Sequence, residues 1–194
     1  NLTEDSPIVF VIHGFTGSAK RIMEYSGMNA VADREGFMVI YPQGTTDSEG
    51  NTFFNVGYEF HKDSTIDDVS FIRDLFVSLS EEYGLKRKQG FATGMSNGGD
   101  MSYLLACTSA DLFRAVAPVA GSLMAKTKEI CNTQSIVPIF EIHGTGDQIT
   151  LFDGDMENKG GWGAYYDLPS TINFFADAYN LDKRSTKIIA KKGE

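Results

Sequence analysis

One serine in this chain stands where a nucleophile would. Ser96 lies in Gly94-Met95-Ser96-Asn97-Gly98, between an apolar, β-prone lead-in (Phe91-Ala92-Thr93) and a helix-compatible segment running from Asp100 to Cys107. A Gly-x-Ser-x-Gly pattern at a strand-to-helix bend is that of a nucleophile elbow, which holds a serine hydroxyl up on a strained turn. Gly94 and Gly98 leave room for strand and helix to approach closely. The backbone N–H of Asn97 sits at the start of the helix, where negative charge is favoured. The triplet alone also fits an ordinary Gly/Ser turn, so its setting decides. The chemistry would be acyl transfer, and a serine hydroxyl needs a base to take its proton and a carboxylate to orient that base.

In α/β-hydrolases the acid and then the histidine follow the serine along the chain. Asp147 fits the acid, because a strand-like segment, Ile136–Ile142, feeds the turn His143-Gly144-Thr145-Gly146-Asp147. Asp153 and Asp155 compete with it, and a plain turn-forming aspartate is the other reading. The oxyanion hole should combine the Asn97 N–H with one from His13-Gly14-Phe15-Thr16, Phe15 first and Thr16 next. The base is harder to find. The histidines are His13, His61 and His143, and none follows Asp147. His13 reads as a brace for the oxyanion loop and His143 as a satisfied structural histidine. His61 could reach the serine only in the wrong chain order. The expectation is therefore that the base lies beyond Glu194, in a C-terminal piece, with the triad incomplete as the sequence stands.

The elements that must position these groups alternate in type. Ile8–Ile12 is an apolar run expected to form a buried strand, followed by a helix over Ala19–Glu35 despite Gly27 and a buried strand over Phe37–Tyr41. The stretch Gln43–Ser64 reads as a long functional loop. Asp67–Tyr83 has near-3.6 spacing through Ile66, Val69, Ile72, Phe76 and Leu79, with Phe71 and Leu75 widening the stripe. Strands are expected at Gly90–Met95, at Phe113–Val119 with an interruption at Pro118, and at Ile136–Ile142. Helices are expected at Asn97–Ala110 and Ser170–Tyr179, and the start of a last strand at Lys187–Ala190. This alternation implies a mostly parallel sheet with crossover helices on both faces.

Composition narrows the classes. The chain has 194 residues, 42% of them hydrophobic, which fits one domain, 1–194, with a sizeable core. No run reaches the ~20 apolar residues of a membrane span. A net charge of −9 argues against nucleic acid as partner, and the cluster Lys86-Arg87-Lys88 reads as a solvated turn. Cys107 and Cys131 could pair in an exported protein or stay as buried thiols, and no metal site is indicated. Asn1-Leu2-Thr3 matches a glycosylation triplet, a pattern common by chance.

Several stretches together resemble the polyhydroxybutyrate depolymerase and feruloyl/acetylxylan esterase group of α/β-hydrolases: His13–Ser18, Asp67–Ile72, Gly94–Gly99, Ala115–Gly121, His143–Asp147 and Leu168–Ile172. The resemblance implies an α/β-hydrolase fold truncated at one or both ends, Ser96 as nucleophile, Asp147 as acid and no cofactor. It further implies a catalytic histidine in a glycine-rich loop beyond the last helix, and it makes a Cys107–Cys131 bond conceivable. Relatives are commonly exported, so a secreted or periplasmic site is expected. They often carry a small residue or Cys after the His-Gly pair, where this chain has Phe15. Trp162, Tyr165 and Phe53, with Phe54, Phe60 and Tyr166, are the aromatic candidates for gripping a small or polysaccharide-linked ester. The expected activity is serine esterase. The alternatives are polyhydroxyalkanoate depolymerase, peptidase or lipase action on the same triad, and a non-catalytic α/β-hydrolase-fold binding protein. Oligomeric state leaves no mark in the sequence.

Overall fold

The structure, a computed structural model, describes residues 2–85 and 90–181. The basic cluster Lys86-Arg87-Lys88 and the strand expected at Lys187–Ala190 lie outside the described residues. Four strands form one parallel sheet in the order β2-β1-β5-β6: β1 (Ile8–Ile12), β2 (Met38–Ile40), β5 (Gly90–Met95) and β6 (Phe113–Val119). Parallel neighbours need crossovers, and the chain supplies helices for each. Before β2 come α1 (Ala19–Ser26) and α2 (Met28–Glu35), before β5 comes α3 (Asp68–Glu82), and before β6 comes α4 (Asn97–Thr108). After β6 follow α5 (Ala125–Ile130) and α6 (Leu168–Ala178). Phe10 of β1, Phe76 of α3 and Phe113 of β6 meet at ring-centroid distances of 5.8 to 6.3 Å and anchor the core.

Several expectations need correction. Ala19–Glu35 is two helices, because Gly27 takes a left-handed φ of 62° and serves both as C-cap of the first and N-cap of the second. The β2 strand is half-buried along its length, since it is an edge of the described sheet. Phe71 is exposed, leaving Ile72 and Phe76 with the polar Asp68 and Ser80 as the buried residues of α3. The stretch 43–64 is not structureless. It holds an antiparallel pair, β3 (Thr45–Thr46) with β4 (Thr52–Phe53), and a 3-10 turn at Glu59–His61. The short α5 was not foreseen.

Pro118 acts differently from expectation. It does not interrupt β6, where it pairs in register with Gly94. It interrupts the next ladder instead. The segment after α5 runs parallel to β6, with Val116 N–H donating to Pro138 O, Phe140 to Val116, Ile142 to Pro118 and Ala120 to Ile142. A regular parallel ladder would add a bond from residue 118 to residue 140, and proline has no N–H to give. The expected strand Ile136–Ile142 is thereby reduced to two isolated bridges, Val116–Ile139 and Val119–Ile142.

Cys107 near the end of α4 is bonded to Cys131 just after α5, across a sequence separation of 24 residues. Closing a loop of that size stabilises by about 3 kcal/mol on the chain-entropy account. The double variant Cys107→Ala/Cys131→Ala should lose roughly that amount in urea unfolding. An unchanged midpoint with an unchanged slope would show that the bridge adds nothing.

Candidate active site

Ser96 occupies the bend between β5 and α4 with φ 55° and ψ −119°, backbone values that an L-residue adopts only under strain. The glycines around it are sterically required. A Cβ on Gly94 would lie 2.4 Å from the Gly98 carbonyl oxygen, and one on Gly98 would lie 2.2 Å from that of Ile12. Gly99 and Gly121 also face each other's backbone, at 2.9 and 2.7 Å from such a Cβ, so the first turn of α4 sits directly on the ends of β1 and β6. The Ser96 N–H donates to Val119 O at 2.9 Å, which ties the bend to β6.

The His13–Thr16 loop lies against this bend, for a Cβ on Gly14 would meet the Ser96 Cβ at 3.5 Å. His13 braces the loop. The Gly44 N–H donates to its Nε2 at 3.0 Å, so the ring carries its proton on Nδ1 and donates it to Gly14 O at 2.8 Å. Burial lowers the His13 pKa and outweighs that carbonyl contact, consistent with a neutral ring. Thr16 is ruled out as an oxyanion donor because its N–H is committed to Thr52 O at 2.8 Å. The N–H groups of Phe15 and Asn97 have no partner among the described residues. The Asn97 side chain is fully buried and pairs with the Phe54 backbone as a strand would, accepting from its N–H at 2.8 Å and donating to its carbonyl at 2.9 Å. Sequence reasoning assigned Asn97 only a backbone role.

Asp147 sits on a tight turn, its Oδ1 accepting from Ile149 N–H at 2.8 Å and Thr150 N–H at 3.1 Å. That turn brings Ile149 and Thr150 to the wall of a narrow pocket beside Ser96, which Tyr58, Asp100, Ser122, Met124, Trp162 and Tyr165 complete. Asp155 is spent elsewhere, accepting from the Lys159 and Gly160 N–H groups. Asp153 is exposed. None of the three histidines hydrogen-bonds Ser96: His61 pairs with Asp47 at 3.1 Å and His143 with Glu141 at 3.1 Å and Thr150 O at 2.8 Å.

Among the aromatic candidates, Tyr165 and Trp162 line the serine pocket. Trp162 also faces a second, wider groove of about 260 Å³ shared with Phe15, Phe60 and His61. Phe53 does not line either. It is buried under His61, 3.8 Å between ring centroids, with its backbone paired to Thr45. Tyr166 instead carries Lys128 over its ring.

The pocket holds a buried carboxyl that sequence reading missed. Asp100, one helical turn after Ser96, accepts from Tyr58 Oη at 2.5 Å and from the Ser122 N–H at 2.6 Å. Burial pushes its pKa up to about 6 against the lowering effect of those bonds. The signal was a charged residue in a helix whose other residues through Cys107 are all buried. A raised folded pKa means that stability present below 3.8 is lost as pH rises through about 6. Above that point Tyr58 donates to a carboxylate, a bond worth about 1.5–3 kcal/mol against about 1 for a neutral pair. Tyr58→Phe should therefore destabilise more at pH 8 than at pH 5 in urea titrations. Equal losses at both would mean Asp100 does not titrate in this range.

The surrounding likenesses agree with this geometry. The family model described as esterase PHB depolymerase matches residues 2–176. NocK of Nocardia uniformis subsp. tsuyamanensis, named as an esterase, is 34% identical over 79% of this chain and 43% of its own length. Feruloyl esterase B of Piromyces equi is 29% identical over 78% of this chain and 28% of its own. The chain thus spans less than half the length of these curated relatives. Among solved structures, an acetyl xylan esterase from Aspergillus awamori aligns with TM-score 0.52 and 26% identity, covering 63% of this chain and 44% of that one. A Bacillus cereus carboxylesterase aligns over 94% of this chain and 78% of its own at TM-score 0.60 and 15% identity, a likeness of fold. The strained serine at a glycine-packed bend and a family match over nearly the whole described chain have one common reading: the chain belongs to the esterase PHB depolymerase family of α/β-hydrolases.

Proposed function

We propose that the chain is the nucleophile-bearing part of a serine esterase that cleaves carboxylic esters through an acyl-enzyme. The observation that carries this is the strained Ser96 packed against Gly14 of the loop whose Phe15 N–H, like that of Asn97, has no partner among the described residues. In the proposed cycle Ser96 attacks the ester carbonyl and those N–H groups hold the oxyanion. Asp147 orients a histidine supplied from outside residues 1–194, and water then hydrolyses the acyl-enzyme. Tyr165 and Trp162 line the pocket for the small ester, and Trp162 extends into the wider groove, where the remainder of a polysaccharide-linked substrate would lie. The Cys107–Cys131 bond supports an exported protein, because such bonds persist in oxidising compartments. Residues 1–194 are read as one catalytic unit.

The second reading, a non-catalytic binding protein, is favoured by one observation, the lack of any histidine on Ser96. A single experiment separates the two. In the full-length protein, Ser96→Ala should lower p-nitrophenyl acetate turnover by at least about 10³-fold and abolish the acyl-enzyme burst. Turnover that survives the substitution removes Ser96 as nucleophile, and a wild-type protein without turnover favours the binding reading.

A further inference from the structure

Behind the acid turn lies a buried chain of polar groups that the proposed mechanism does not use. Tyr103 on α4 donates from Oη to Glu141 Oε2 at 2.6 Å. Glu141 Oε1 faces His143 Nδ1 at 3.1 Å, and His143 Nε2 faces Thr150 O at 2.8 Å. The side chains of Glu141 and His143 are 3% and 2% exposed. These contacts count the protons. A backbone carbonyl only accepts, so Nε2 carries a hydrogen. Tyr103 occupies Oε2 as a donor. The remaining contact, Nδ1 to Oε1, is attractive only if it too holds a proton, shared as imidazolium–carboxylate or as neutral imidazole–carboxylic acid. Without that proton two lone pairs would face each other in a dry site.

We propose that Glu141 and His143 form a one-proton latch that pins the 143–150 turn, making His143 a positioning residue for Asp147. His143 grips the turn at Thr150 O, and the Thr150 N–H in turn holds Asp147 Oδ1 at 3.1 Å. Its Nε2 also lies 3.8 Å from Asp147 Oδ2. The groups acting on the latch are few. From α4 come Tyr103 and the Asp100 carboxyl, from the turn comes Asp147, and Phe152 covers the His143 ring edge-on at 6.3 Å. Burial raises Glu141 from 4.5 to about 7, opposed by the Tyr103 and His143 contacts and reinforced by Asp100. A raised folded pKa contributes stability fully below 4.5 and loses it as pH rises through about 7. The latch is closed in acid and opens in base.

The role given to Asp147 rests on the esterase reading; the latch itself does not, so two readouts are needed on the full-length protein. Glu141→Gln keeps all three bonds without a titrating proton, since its amide donates to Nδ1 and accepts from Tyr103. Its thermal midpoint should match wild type at pH 5 and exceed it at pH 8. Tyr103→Phe removes a bond that lowers the Glu141 pKa, so the wild-type fall should move to higher pH. A pure packing role would lower the midpoint equally at every pH. In p-nitrophenyl acetate hydrolysis, wild-type kcat should fall about tenfold above pH 8 with KM unchanged as Asp147 loses its setting, and Glu141→Gln should hold its rate. Parallel midpoint curves for wild type and both variants would overturn the latch. The thermal contrast with no hydrolysis at any pH would uphold it and sink the esterase reading instead.

Discussion

The site depends on how closely the first turn of α4 can sit on the ends of β1 and β6. Backbone meets backbone there with no room for a side chain at Gly94, Gly98, Gly99 or Gly121. Dense packing of this kind leaves few alternative arrangements. It sets the left-handed φ of Ser96, because the chain must turn from strand to helix within the space that glycine pairs leave. Two other strand ends then come within reach of the serine. β1 delivers the His13–Thr16 loop, and β6 delivers Ser122 to the pocket wall. Strain at one residue is affordable because the sheet below over-determines it.

Loops that leave this platform are held by side chains acting as backbone substitutes. Asn97 pairs with Phe54, His13 bridges Gly14 and Gly44, and Asp47 and Asp155 gather the N–H groups of their own turns. The Asn97–Phe54 and His13–Gly44 bonds satisfy buried groups that would otherwise cost free energy to strand. The same logic explains why the Thr16 N–H is spent on Thr52 while that of Phe15 is left open. A loop so firmly braced offers few spare donors, and its Gly14 packs against the serine.

Much of this frame was legible in the sequence. The strand runs at Ile8–Ile12 and Gly90–Met95, the elbow glycines and the Asp67-capped helix each carry a local cause that the fold obeys. Where reading failed, a nonlocal cause intervened. Gly27 was tolerable in a helical pattern until it became a shared cap. In the sequence Pro118 reads as an interruption of its own strand, yet which neighbour loses a bond depends on which way the N–H points in the sheet. Phe53 looked like pocket lining because it is aromatic in a long loop, whereas pairing with Thr45 turns it inward. Asp100 and Glu141 escaped notice as sites because their partners, Tyr58, Ser122, Tyr103 and His143, come from other segments.

These buried carboxyls also say how charge is managed around α4. Asp100 and Glu141 are both raised by burial, and the groups that stabilise their charged forms are hydroxyls, an N–H and His143, with no lysine or arginine among them. Negative charge on either group repels any other negative charge nearby, the more so in a low dielectric. Donors aimed at the two carboxyls spread that charge, and the rise in each pKa reduces it. The Asn97 N–H and the amino end of α4, by contrast, are dipoles already in place beside Ser96, where they favour negative charge.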